Sequence, residues 1–132
     1  MLPGWCDLAV EPGVFHVGGP CETDTALCLA TCARPAPGLR RVAGPVHLVD
    51  LDADPSALAG DLTGLRVFAG YAGWSPGQLA DEIAEGAWAC VPGRPEDVLS
   101  DAAGPALWRA VMGRQRSRLA VLSTAPADPS AN

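Results

Sequence analysis

Residues Arg66–Pro92 read RVFAGYAGWSPGQLADEIAEGAWACVP. Val67, Phe68, Ala69 and Tyr71 form a β-branched and aromatic run suited to a buried strand, and Gly70 and Gly73 permit a sharp exit from it. Ser75-Pro76-Gly77-Gln78 then reads as a helix start. The serine hydroxyl stands at the N-cap, proline takes the first helical position, and glutamine sits three residues on, where it can reach back as a capping box. Trp74, just before the cap, is placed to staple onto Leu79. Leu79 and Ile83 share one face and Asp81, Glu82 and Glu85 the other, with Gly86 at the left-handed stop. Ala87–Val91 is expected to return as a strand ended by Pro92-Gly93.

The rest of the chain alternates strands with short helices. Val14–Val17 reads as a strand ended by Gly18-Gly19-Pro20, and Thr25–Cys32 as the next, with a helix as the alternative. Arg34–Arg41 reads as a proline-rich connection and Pro45–Leu51 as a third strand. Asp54 opens a short helix with Pro55 in its first position and Gly64 as its close. Pro95–Ser100 suits one helical turn, and Pro105–Met112 a helix with Leu107, Trp108, Val111 and Met112 on one side. Trp5, between Pro-Gly breaks, is expected in a turn that covers the core. This order predicts an α+β fold with a mixed, mainly antiparallel sheet flanked by short helices. A single domain over residues 1–123 is expected, followed by a disordered tail over 124–132, whose residues are small, polar and proline-containing.

The run Gly70-Tyr71-Ala72-Gly73-Trp74-Ser75-Pro76-Gly77-Gln78-Leu79-Ala80-Asp81-Glu82-Ile83, with Trp88 after it, resembles the signature block of the YqgE/AlgH family. Gly18-Gly19-Pro20-Cys21 is similar to that family's G-G-P-V element, and Leu107-Trp108 matches a late landmark. The resemblance implies a bifurcated, partly barrel-like sheet flanked by helices. It also implies a link, known for some members, to transcriptional control of exopolysaccharide production. Family members carry a further N-terminal portion with early strands and an N-R-P motif. Met1 is therefore expected to lie mid-domain, in either a truncated chain or a shortened variant, leaving a sheet face open to a protein partner or to self-association.

At 132 residues the chain is long enough to bury a core without disulfides. The net charge of −6 argues against a general nucleic-acid-coating role, which needs a basic surface. The absence of lysine reads as genome composition rather than mechanism. No apolar run reaches bilayer length and the N-terminus lacks signal-peptide features, so a cytoplasmic protein with five reduced cysteines is expected.

Gly73-Trp74-Ser75-Pro76-Gly77 has the G-x-S-x-G form of a hydrolase elbow. The oxyanion hole there needs the N–H of the residue after the serine, and Pro76 has none. Both histidines, His16 and His47, precede Ser75, whereas the hydrolase order places the histidine after it. No catalytic residue is assigned, and a non-enzymatic regulatory or binding module is expected. The same turn, with Gly70, Tyr71, Gly73, Trp74, Ser75, Pro76, Gly77, Gln78, Glu82 and Trp88 around it, could hold an anion or nucleotide, or could be purely structural. Arg109, Arg114, Arg116 and Arg118 form the one locally basic region; they suit either a nucleic-acid contact or a solvated face. Cys28 and Cys32, with Cys21 and His16 near them in sequence, lack zinc-site spacing and read as small core residues. His47 and His16 read as hydrogen-bonded structural histidines. Asp50, Asp52 and Asp54 lack the glycine and distal glutamate of a calcium loop and read as a strand end and helix cap. No metal or cofactor is expected.

Overall fold

A computed structural model describes residues 4–11, 13–102, 104–116, 118–122 and 124, so the expected tail lies outside the described residues apart from Thr124. Among the described residues five strands form one open mixed sheet: β1 (His16–Val17), β2 (Cys21–Cys32), β3 (Leu39–Ala43), β4 (Val46–Val49) and β5 (Leu62–Tyr71). Their spatial order is β1-β5-β2-β4-β3, with β1 parallel to β5 and the remaining neighbours antiparallel. Among the described residues a 3-10 turn (Cys6–Leu8) and five α-helices accompany them: α1 (Pro55–Leu58), α2 (Gln78–Ala84), α3 (Pro95–Val98), α4 (Gly104–Gly113) and α5 (Leu119–Leu122). The α+β class and the mainly antiparallel pairing are as the sequence predicts. The described strands leave β1 and β3 as open edges rather than closing into a partial barrel.

Alternation along the strands divides the sheet into two faces. Cys28 lies opposite both Val67 and Val49, and Ala30 opposite Leu65 and His47. These residues are buried; Trp5 and Leu58 complete the core they form. Trp5 acts as a lid, and its indole N–H donates to the Leu51 carbonyl at 3.2 Å. Leu58 arrives on α1, which Asp54 caps by accepting the Ser56 N–H at 2.9 Å. Asp50 accepts the Asp52 N–H at 3.0 Å, so Asp50 at the strand end and Asp54 at the helix cap stand as expected.

Several boundaries differ from expectation. The strand expected at Thr25–Cys32 is a strand and begins earlier, at Cys21. The strands expected at Val14–Val17 and Pro45–Leu51 are shorter, at His16–Val17 and Val46–Val49. Gly64 does not close α1: the helix ends at Leu58, and Gly64 lies inside β5. The connection expected over Arg34–Arg41 contains the start of β3, a hairpin partner of β4. As an edge strand with four of its five residues exposed, β3 needs no apolar alternation.

Candidate functional site

The signature block forms a structure of its own beside the sheet. Gly70 has φ +75°, and a side chain there would meet the Gly19 carbonyl oxygen at 2.5 Å. A side chain on Gly18 would in turn strike the Gly70 carbonyl oxygen at 2.1 Å. Gly18-Gly19 and Gly70-Tyr71 are thus two sequence landmarks of one junction, in which backbone lies on backbone. The Gly18 N–H donates to Ala69 O at 2.8 Å and holds them together.

Ser75 is not the helix cap. Gly77 occupies that position with φ 82° and ψ −20°, so Pro76-Gly77 forms the centre of a type II turn. The turn is closed by the Gln78 N–H donating to Ser75 O at 3.0 Å. The left-handed glycine delays the start of α2 by two residues, from Pro76 to Gln78. The reach-back half of the predicted box survives, because Gln78 Oε1 accepts both the Ser75 N–H and its hydroxyl, each at 3.0 Å.

Glu82 is the hub of this unit. Its Oε2 accepts the indole N–H of Trp88 at 2.6 Å and that of Trp74 at 3.1 Å, while its Oε1 accepts from Gln78 Nε2 at 2.9 Å. These donors, Trp88 foremost, hold the Glu82 carboxyl below the usual carboxylate range. Trp74 meets Trp88 edge to face, with ring centroids 5.7 Å apart, where a staple onto Leu79 was expected. Gly86, at φ 82°, ends α2 with the paired bonds of a Schellman motif: Ala87 N–H to Glu82 O and Gly86 N–H to Ile83 O. The strand expected over Ala87–Val91 does not form. Both edges of β5 are already taken by β1 and β2, and Trp88 turns back to Glu82 instead. None of the α2 residues is buried, and Trp74, Leu79, Ile83 and Trp88 remain 38–50% exposed.

The basic segment is divided. Arg114 grips Asp97 through both terminal nitrogens and holds that carboxyl below its ordinary range. Arg116 and Arg118 are exposed, and Arg109 is half-buried. Cys28 is fully buried and its thiol is pushed up to about 12, while burial also raises Cys32. Cys32 Sγ lies 3.1 Å from His47 Nδ1, which is 2.9 Å from Pro45 O, so His47 is the structural histidine expected. Among the described residues, no group of three potential ligands is placed to hold a metal, and no helix is long and apolar enough to cross a membrane.

His16 behaves differently from expectation: its Nε2 is buried without a partner. It lines one cleft with Arg66, a buried guanidinium on β5. The sequence signal for Arg66 was a lone charge inside the apolar run Leu65–Phe68.

A family model described as AlgH-like matches residues 3–120. The chain belongs to the AlgH-like family. A UPF0301 protein of Streptomyces avermitilis is 51% identical over 138 residues, taking in all of this chain and 71% of its own length. One from Mycobacterium tuberculosis is 45% identical over 139 residues, again across the whole chain and 67% of its own. The crystal structure of a Corynebacterium diphtheriae protein superposes with a TM-score of 0.85 at 34% identity, over 93% of this chain and 66% of that one. The solution structure of AlgH from Pseudomonas aeruginosa shares the fold, with a TM-score of 0.62 at 24% identity over 85% of this chain and 59% of that one. The AlgH-like chain described here thus spans about two thirds of the length of its relatives.

Proposed function

We propose that this AlgH-like chain works by recognition rather than turnover, as a cytoplasmic binding module whose contact surface is the platform of α2. The observation that carries this reading is the Glu82 hub. Its carboxylate accepts from Trp74, Gln78 and Trp88 together, and so holds two indoles in fixed orientation beside the solvent-exposed Leu79 and Ile83. Rigid aromatic side chains with little rotamer entropy left to lose are what binding surfaces use as anchors. Asp81 on this helix and Glu85 at its C-terminal cap favour a protein surface with an apolar patch and basic rim. A regulatory role in transcription, as the family resemblance implies, fits a module that acts through a protein partner. Ser75 suits this reading too, since its hydroxyl is engaged by Gln78 rather than by a base.

A photo-crosslinker placed at Ile83 should trap one protein that, once purified, binds at one-to-one stoichiometry. Ile83→Asp should weaken that binding at least tenfold, about 1.4 kcal/mol. Turnover of an ester or phosphoester panel that disappears in Ser75→Ala would sink the proposal.

A further inference from the structure

Residues 13–18, which carry β1, run along the outer edge of β5 as a strap fastened at both ends. Upstream the Val10 N–H donates to Leu65 O at 2.9 Å, and downstream Cys21 lies opposite Tyr71. Between these points the strap meets β5 in the parallel pairing of His16 with Phe68 and Val17 with Ala69, and the Gly18 N–H donates to Ala69 O at 2.8 Å. Its burial is concentrated in one residue. Val14, Phe15 and Val17 are 44–89% exposed, and within 13–18 only His16 is tucked in. A two-residue parallel ladder at a sheet edge has little stability of its own, so the seat of the His16 ring decides whether the strap stays down.

The ring packs on Phe68, with centroids 5.9 Å apart, in a cleft lined also by Arg66, Asp97, Leu29 and Leu107. Its Nε2 is sealed from solvent and has no hydrogen-bond partner among the described residues. A neutral imidazole accommodates this, because one of its nitrogens carries no hydrogen. An imidazolium has an N–H on both, so protonation puts a donor at Nε2 where nothing accepts it. The charges around the cleft do not make up for that. Burial, and after it the like charge of Arg66 on β5, keep His16 below its ordinary pKa. Asp97, on α3, is held by Arg114, and Asp101 sets its charge against Arg66. From β2 and α4 come the uncharged Leu29 and Leu107.

We propose that residues 13–18 are a proton-released strap, closed on β5 while His16 is neutral and opened when its ring takes up a proton. In the open strap the ring is solvated and titrates in the ordinary histidine range. Closure is therefore at its most stable above that range and weakens as the pH falls through it toward the lower value of the closed form. Opening bares the outer edge of β5 at Phe68 and Ala69. An unpaired strand edge beside an aromatic ring is a surface on which a further strand can pair.

Native-state amide exchange on the purified chain, followed by NMR and expressed as protection factors so that intrinsic pH dependence drops out, tests the strap. From about pH 7.5 to about pH 5 the protection of the Gly18 amide should fall roughly tenfold, with a midpoint that tracks the His16 ring resonance, while amides of the β2–β5 ladder keep theirs. Glu82 and Asp97, held below the ordinary carboxylate range, do not titrate in this window. His16→Phe, which keeps a ring against Phe68 but takes up no proton, should remove the pH step. If that variant does not fold, His16→Leu takes its place, and the match of midpoints in the parent tests the strap without either. Gly18 protection that is constant with pH, a midpoint unrelated to His16, an equal loss throughout the β2–β5 ladder, or a step that persists in a folded His16 variant would each overturn the proposal.

Discussion

Trp88 donates its indole N–H to Glu82 at 2.6 Å, and Trp74 shares the same carboxylate oxygen. The bonds favour the ionised form, so the folded-state pKa of Glu82 is depressed. The contribution of this group is then present above the ordinary glutamate range and is lost as the pH falls through its lowered folded value. The near-UV circular dichroism of the Trp74–Trp88 pair should collapse over that acid window, before the core unfolds. Glu82→Gln should remove the pH step, and Glu82→Ala should flatten the signal at neutral pH with little change in the global unfolding midpoint, since α2 buries no residue.

Two of the three glycines of the block should respond differently to alanine. At Gly70 a methyl group would face both a left-handed backbone and the Gly19 carbonyl at 2.5 Å. Strain of this kind costs about 1–2 kcal/mol before any clash is counted. At Gly73 the nearest atom is Tyr71 Cε2 at 3.6 Å, ordinary contact distance, and φ is not positive. Urea titration should place Gly70→Ala well below the parent and Gly73→Ala within about 0.5 kcal/mol of it.

Leu65 is fully buried and lies opposite Ala30 in the row between β2 and β5. Neither Ala30 nor the lid residue Trp5, anchored through Leu51, can move in to fill the space left by truncation. Leu65→Ala should therefore cost about 2–5 kcal/mol in chemical denaturation, against about 1 kcal/mol for Trp5→Phe, which loses chiefly the indole hydrogen bond.

What the sequence discloses and conceals has physical causes in particular residues. Gly86 and Asp54 were legible because a helix end exposes backbone groups that few residue types can satisfy. Strand β5 was legible from its β-branched and aromatic run. The start of α2 was not, since Pro76-Gly77 fits a helix start and a type II turn equally well, and only the positive φ at Gly77 separates them. Strand β3 was hidden by the opposite problem: an exposed edge carrying Arg40 and Arg41 shows no burial pattern to find. The placing of Arg66 and His16 along one cleft was inaccessible for a third reason. It depends on β1 lying parallel to β5, a contact between residues about fifty positions apart, and neither residue carries a local motif.

The pair Arg114–Asp97 separates scaffold from nucleic-acid contact. Each side chain is only about one-fifth exposed, and the guanidinium engages both carboxylate oxygens, which joins the chain after α4 to α3. The lowered pKa of Asp97 means that its contribution is present above the ordinary aspartate range and is lost as the pH falls through its lowered folded value. If the pair is structural, Asp97→Asn lowers the thermal midpoint at neutral pH and flattens its decline in acid. If the arginines at 114, 116 and 118 instead contact nucleic acid, the same change frees Arg114 and removes an acidic neighbour, so retention on a DNA column should rise and fall steeply with added salt. The expected outcome is the first: a lower midpoint, with no salt-dependent DNA retention in either the parent or Asp97→Asn. A gain in retention abolished by Arg116→Ala and Arg118→Ala would establish the second.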